Sequence, residues 1–173
     1  NTGSSADLGA GEYFVIEADE YDSAFFDKRS KFLHYHTKTL LINNIEYDHA
    51  DIFDDLQAIK TQFHHLLRTL PSSGAVVFPS GDKVINSVLG RGCWSQKICY
   101  GVNEGDWQYR VLDQNSQFEI MNRETDSIDQ PYVNWELNGL HNVLNGVAAI
   151  VAAHHVGISV EQNCEILSGF AGV

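Results

Sequence analysis

Two kinds of apolar spacing follow one another in this chain, and their order limits its fold more than any other feature. Lys38–Ile45 reads KTLLINNI, a short, nearly continuous apolar run of the sort found in a strand covered on both faces. After it, Ile52, Leu56, Ile59, Phe63, Leu66, Leu67 and Leu70 recur every three to four residues, the spacing of one helix face. Asp48 or Asp51 is placed to cap that helix, Asp54 and Asp55 suit its electropositive first turn, and Pro71 ends it. SSGAVVFPSGD then reads as turn, strand and turn, DKVINSVLGRG as a second helix, and QKICYG as another short strand. Upstream, YFVIEA (Tyr13–Ala18) reads as a further strand buried on both faces. Strands alternating with helices in this way predict an α/β fold: a mostly parallel sheet with helices on both faces.

The texture changes near Gly105. WQYRVLDQNSQFEIMNRE alternates apolar and polar residues around a QNS turn, and YVNWELNG continues the pattern. That predicts a small antiparallel subsheet from about Asp106 to Leu137. Helical period then returns, with Leu140, Leu144, Val147 and Val151 on one stripe. Gly157 stops this helix, and Ser159 with Gln162 forms a capping box for a last one. The expected organisation is a loop over 1–11, an α/β part over 12–105, an antiparallel annex over 106–137 and a helical end over 138–173. No internal repeat or low-complexity tract is present.

The chain carries a net charge of −12 and a pI near 4.9, which argues against a nucleic-acid groove and against an anionic membrane surface. No run of about 18 apolar residues is present to span a bilayer. Cys93, Cys99 and Cys164 form no C-x-x-C pair, so neither a zinc knuckle nor a disulfide framework is expected. Reduced thiols in or near the core, in a cytoplasmic protein, are the expectation. The chain starts at Asn1 in a Gly/Ser-rich stretch and stops at Val173 just after a helical pattern, as a piece of a longer protein would.

Glu12–Arg29 reads EYFVIEADEYDSAFFDKR, an apolar run leading straight into Glu17, Asp19, Glu20 and Asp22. Like charges so close need a compensating cation or full hydration. Ligands of open parallel sheets sit beyond the carboxyl ends of the strands. There Glu17, from the first run, and His49, after KTLLINNI, can face one cleft. A carboxylate and a neutral imidazole make a partial shell for a divalent cation such as Mg²⁺, which keeps waters and takes phosphate oxygens. The alternative is that these acids are solvated and His49 caps or packs. In LHNVLN, Asn142 and Asn145 lie three apart on one helix face beside His141, and their amides suit a purine edge. The alternative there is simple helix capping. His34, His36, His64, His65, His154 and His155 read as structural. Neither G-x-S-x-G, G-x-G-x-x-G nor G-x-x-x-x-G-K-[ST] occurs.

EADE at Glu17–Glu20, NNIEYDHAD at Asn43–Asp51 and HNVLN at His141–Asn145 together resemble the Mur ligase family, the ATP-dependent amide-forming enzymes of bacterial cell-wall synthesis. The resemblance covers the chain from about Glu12 onward. It implies the family's P-loop NTPase-like central domain, here without its phosphate loop, and without the N- and C-terminal domains of the same chain. It implies that Glu17 and His49 are the Mg²⁺ ligands and the catalytic pair, that His141, Asn142 and Asn145 bind ATP, and that Arg29 touches the muramyl substrate. The wording EADEYDSAFFDKRSKF is most similar to the member that joins UDP-N-acetylmuramate to the tripeptide L-alanyl-γ-D-glutamyl-meso-diaminopimelate through an acyl phosphate, in peptidoglycan recycling. The L-alanine-adding member is the nearest alternative. Outside the family, a metal-dependent phosphohydrolase or a non-catalytic interaction domain remain open. The piece alone is expected to be inactive.

Overall fold

The computed structural model describes residues 10–18, 21–47, 52–113, 116–123 and 130–172. Six strands form one sheet: β3 (Thr39–Leu41), β4 (Ala75–Pro79), β5 (Gln96–Gly101), β6 (Trp107–Val111), β7 (Gln117–Asn122) and β8 (Tyr132–Asn134), paired in that order. β3 to β6 run parallel, and β7 and β8 are antiparallel additions. A separate antiparallel ribbon joins β1 (Asp22–Ala24) to β2 (Asp27–Ser30), and one 3₁₀ turn, Lys31–His34, leads on towards β3.

Helix α1 (Leu56–Thr69) connects β3 to β4, and α2 (Lys83–Leu89) connects β4 to β5. Each starts on an aspartate. Asp55 accepts a hydrogen bond from Ala58 N at 2.8 Å, and Asp82 accepts from Val84 N and Ile85 N at 2.8 Å each. The cap of α1 is thus Asp55, later than the Asp48 or Asp51 expected, and those two residues lie outside the described ones.

Strand alternation sorts the side chains into two cores. Val76 and Phe78 join Leu40, Ile42, Ile59, Leu66, Leu67, Ile85 and Val88 under α1 and α2. Ala75 and Val77 face the other way, into a cluster with α3 (Leu140–His155), α4 (Val160–Ser168) and the inner residues of β5 to β8. The strand expected within SSGAVVFPSGD is β4, and Ala75 to Phe78 of it are buried.

The antiparallel strands are present where the alternation placed them, but they extend the main sheet. Parallel neighbours normally need a crossover of a dozen residues or more. β6 joins β5 after five residues, and only Tyr100↔Trp107 and Gly101↔Gln108 pair. Gly105 makes the reversal possible. Its φ is +109°, and a Cβ there would lie 2.9 Å from the Cys99 carbonyl oxygen. Tyr109–Val111 therefore run past the end of β5, about 10 Å at the usual strand rise.

One expectation fails. Tyr13–Ala18 is not a buried strand: every residue in it is exposed, Val15 at 93%, and none pairs with the sheet. An apolar run is buried only if strands flank it, and among the described residues β3 pairs with β4 alone. The run is tied down instead at its start, where the Tyr13 hydroxyl donates to the Val156 carbonyl at 3.1 Å.

Candidate functional site

The carboxyl ends of β3, β4 and β5 share one rim. Along β3, Leu40 and Ile42 enter the core under α1, so Leu41 and Asn43 point to the α3 side. Asn43 meets α3 there: its Nδ2 donates to Asn145 Oδ1 at 2.9 Å. From β5, the Tyr100 hydroxyl donates to Asn43 Oδ1 at 3.4 Å. Tyr100 is 2% exposed, and burial, with Tyr109 nearby, pushes its phenol well above the usual tyrosine range. Ser80, just past β4, closes the rim. Its N–H donates to the Tyr100 carbonyl at 2.7 Å and its hydroxyl to the Glu104 carbonyl at 3.3 Å.

The start of α3 is open to solvent at this rim. Gly139 precedes it with φ +103°, and the His141 imidazole lies so close that a Cβ on Gly139 would be 2.7 Å from the ring. The Asn142 Nδ2 donates to the Asn138 carbonyl at 2.9 Å, one turn back. His141 and Asn145 are exposed and Asn142 is half-buried. Two of the three sequence stretches, 102 positions apart at Asn43 and Asn145, thus converge by a direct hydrogen bond.

The proposed metal ligands are placed less fully. Glu17 is exposed and makes no ion pair or side-chain hydrogen bond with another described residue. His49 lies outside the described residues, as do Asp19 and Glu20. Of the described residues on either side of 48–51, the Tyr47 hydroxyl donates to the Phe53 carbonyl at 3.2 Å. Among the described residues no three His, Cys, Asp or Glu side chains gather as a cation cage. An exposed, unpaired carboxylate fits Mg²⁺, which binds through one or two carboxylates plus water and phosphate.

Arg29 sits elsewhere. Its guanidinium grips Asp27 through Nε at 2.9 Å and a second nitrogen at 2.7 Å, and His34 lies 3.2 Å from the same carboxylate. That guanidinium holds the Asp27 carboxyl well below the usual range. Arg29 lines a cavity of about 370 Å³ with Leu33, His65, Arg68 and Thr69. His65, Arg68 and Thr69 belong to the last turns of α1, at the opposite end from its Asp55 cap, so Arg29 is not brought to the Asn43–Asn145 rim. The neighbouring His64 imidazole is pushed below its ordinary value, by burial first and then by Arg91, Arg68 and His65. Sequence reading missed Asn43 and Tyr100. The alternation of KTLLINNI was enough to turn Asn43 away from Leu40 and Ile42, but nothing local tied it to a tyrosine 57 positions on.

The profile of the Mur ligase middle domain matches residues 4–153. The chain belongs to the Mur ligase family. As a Mur ligase middle domain it is 46% identical over 170 residues to the UDP-N-acetylmuramate–L-alanyl-γ-D-glutamyl-meso-2,6-diaminoheptandioate ligase of Haemophilus influenzae, covering 98% of this chain and 37% of that protein. It is 47% identical over 167 residues to the ligase of the same name from Escherichia coli, covering 96% and 36%. A UDP-N-acetylmuramate–L-alanine ligase of Bradyrhizobium diazoefficiens is more distant, at 31% over 179 residues. The crystal structure of the tripeptide ligase from Neisseria meningitides superposes with a TM-score of 0.83 at 45% identity, over 92% of this chain and 48% of that one. The Mur ligase middle domain described here thus spans little more than a third of the length of the curated relatives it matches.

Proposed function

We propose that this chain is the ATP-binding part of a ligase that joins UDP-N-acetylmuramate to L-alanyl-γ-D-glutamyl-meso-diaminopimelate, in peptidoglycan recycling. In this reading ATP phosphorylates the lactyl carboxylate, and the tripeptide amine displaces phosphate from the acyl phosphate. The observation that carries it is the Asn43–Asn145 hydrogen bond, because it joins two of the stretches shared with the family at the rim where an α/β sheet binds ligands. The greater identity to tripeptide ligases than to the alanine ligase supports the choice of substrate.

Each residue has a defined task in this reading. Asn142 and Asn145, with His141, hold the adenine at the start of α3. Glu17 and His49 would hold Mg²⁺, which supplies neutralisation of phosphate charge when bound. The chemistry brings two anions together, so the remaining task of this chain is positioning. Arg29 in a muramyl contact requires it to exchange its Asp27 partner for a substrate anion. The phosphate-gripping loop and the other domains would come from the rest of the protein.

The test is ADP release by the full-length protein. Release that requires both UDP-N-acetylmuramate and the tripeptide is the expected result. Release supported by L-alanine in place of the tripeptide would replace this reading with the alanine ligase, and release that ignores both would end it.

A further inference from the structure

A side-chain amide has two different ends, an acceptor oxygen and a donor nitrogen, and which end faces outward decides what it can bind. At the start of α3 both amides have one end taken. The partner of Asn142 is the Asn138 carbonyl, which can only accept, so Nδ2 faces inward and Oδ1 outward. For Asn145 the polarity is set further back. The Tyr100 hydroxyl is buried and must give its hydrogen to something, and the side-chain acceptor it reaches is Asn43 Oδ1. That turns Asn43 Nδ2 towards α3, where it must meet an oxygen: Asn145 Oδ1 at 2.9 Å. The Asn145 Nδ2 donates to no described residue, so it is the end left wholly for a ligand.

We infer that Tyr100 and Asn43 are positioning residues that fix Asn145 as a donor, so that the start of α3 selects adenine over guanine. This rests on the adenine reading above. Asn142 presents an acceptor and Asn145 a donor, three residues apart on one helix face. The N6 amino and N7 of adenine offer the complementary donor and acceptor. The O6 and N7 of guanine are both acceptors, so guanine sets an oxygen against the Asn142 oxygen. Neither Tyr100 nor Asn43 touches the base; both act through Asn145. Without the phenolic hydrogen the Asn43–Asn145 pair can reverse, and Asn145 then presents either end.

The experiment compares kcat/KM for ATP and GTP in the full-length enzyme. Tyr100→Phe keeps the buried ring and removes only the hydroxyl. It is expected to cut the ATP-over-GTP preference by about fivefold to tenfold, the worth of one hydrogen bond, with kcat at saturating ATP within about twofold of wild type. Asn43→Leu should give the same loss by removing the middle of the chain, and it stands in if Tyr100→Phe does not fold. Asn145→Ala should raise the KM for ATP. If Asn145→Ala leaves that KM unchanged, the adenine reading itself fails. If it raises KM while both other variants keep the wild-type preference, the adenine reading stands and the orienting role of Tyr100 and Asn43 is overturned.

Discussion

Cys164 shows how burial can dominate the behaviour of a single group in this domain. It lies on α4 at 4% exposure, facing the α3 core, and its thiol is pushed up to about 11, by burial first and then by Glu161. A folded-state value above the unfolded one means the folded domain resists losing that proton. The stability so contributed is fully present below the unfolded thiol value, roughly 8.5, and is lost as pH rises through 11. Urea midpoints measured from pH 8 to 10 should therefore fall with pH, and Cys164→Ala should flatten that fall whatever its effect at pH 8. An unchanged slope would mean the thiolate is tolerated in place. The sequence already put the three thiols in or near the core, because they form no C-x-x-C pair. It could not show the pairing of Asn43 with Tyr100 and Asn145, since those contacts follow from how the strands align. His49 shows a further limit: its role rests on the family resemblance, and the geometry described stops at Tyr47 and resumes at Ile52.

Among the elements, α3 departs furthest from what its periodicity suggested. The stripe Leu140, Leu144, Val147 and Val151 predicted one buried face, yet Leu140 is 47% exposed, and Val143, Gly146, Ala148 and Ile150 are buried beside Val147 and Val151. The reason is that the sheet bends around the helix, so β3 to β7 all touch it and more than one face must be apolar. A single-faced template cannot anticipate this, whereas α1, covered on one side, matched its template closely. Gly146 marks the tightest approach. A Cβ there would lie 2.8 Å from both Phe118 Cζ and Trp135 Cη2, the tips of two buried rings in edge-to-face contact at 5.7 Å. Alanine would favour the helix by about 1 kcal/mol, but forcing two packed rings apart costs about 1–3 kcal/mol. Gly146→Ala should therefore leave the domain no more stable than wild type, and less stable by about 1 kcal/mol at the centre of those ranges. Urea unfolding checks it, and a clear gain in midpoint would show that the rings move freely.

Across the whole molecule, two cores on opposite faces of one sheet leave an uneven outer surface. β3 carries backbone groups on an edge that pairs with no described strand, and Phe14, Val15 and Phe26 are exposed at 57%, 93% and 92%. Exposed apolar residues and a strand edge with no described partner together favour self-association. The opposing term is the net charge of −12, which repels one copy from another over a Debye length of about 10 Å at 0.1 M salt and about 3 Å at 1 M. The balance should therefore tip with ionic strength. Light scattering on the 173-residue chain is expected to show a monomer at low salt and a rising average mass as sodium chloride approaches 1 M. Val15→Lys puts a charge in the middle of the apolar run and should hold the mass near monomer at the same salt, although it makes the net charge less negative. That contrast separates the two causes. If repulsion alone governed association, the lysine variant would associate more readily than wild type; if the apolar run is the contact, it associates less.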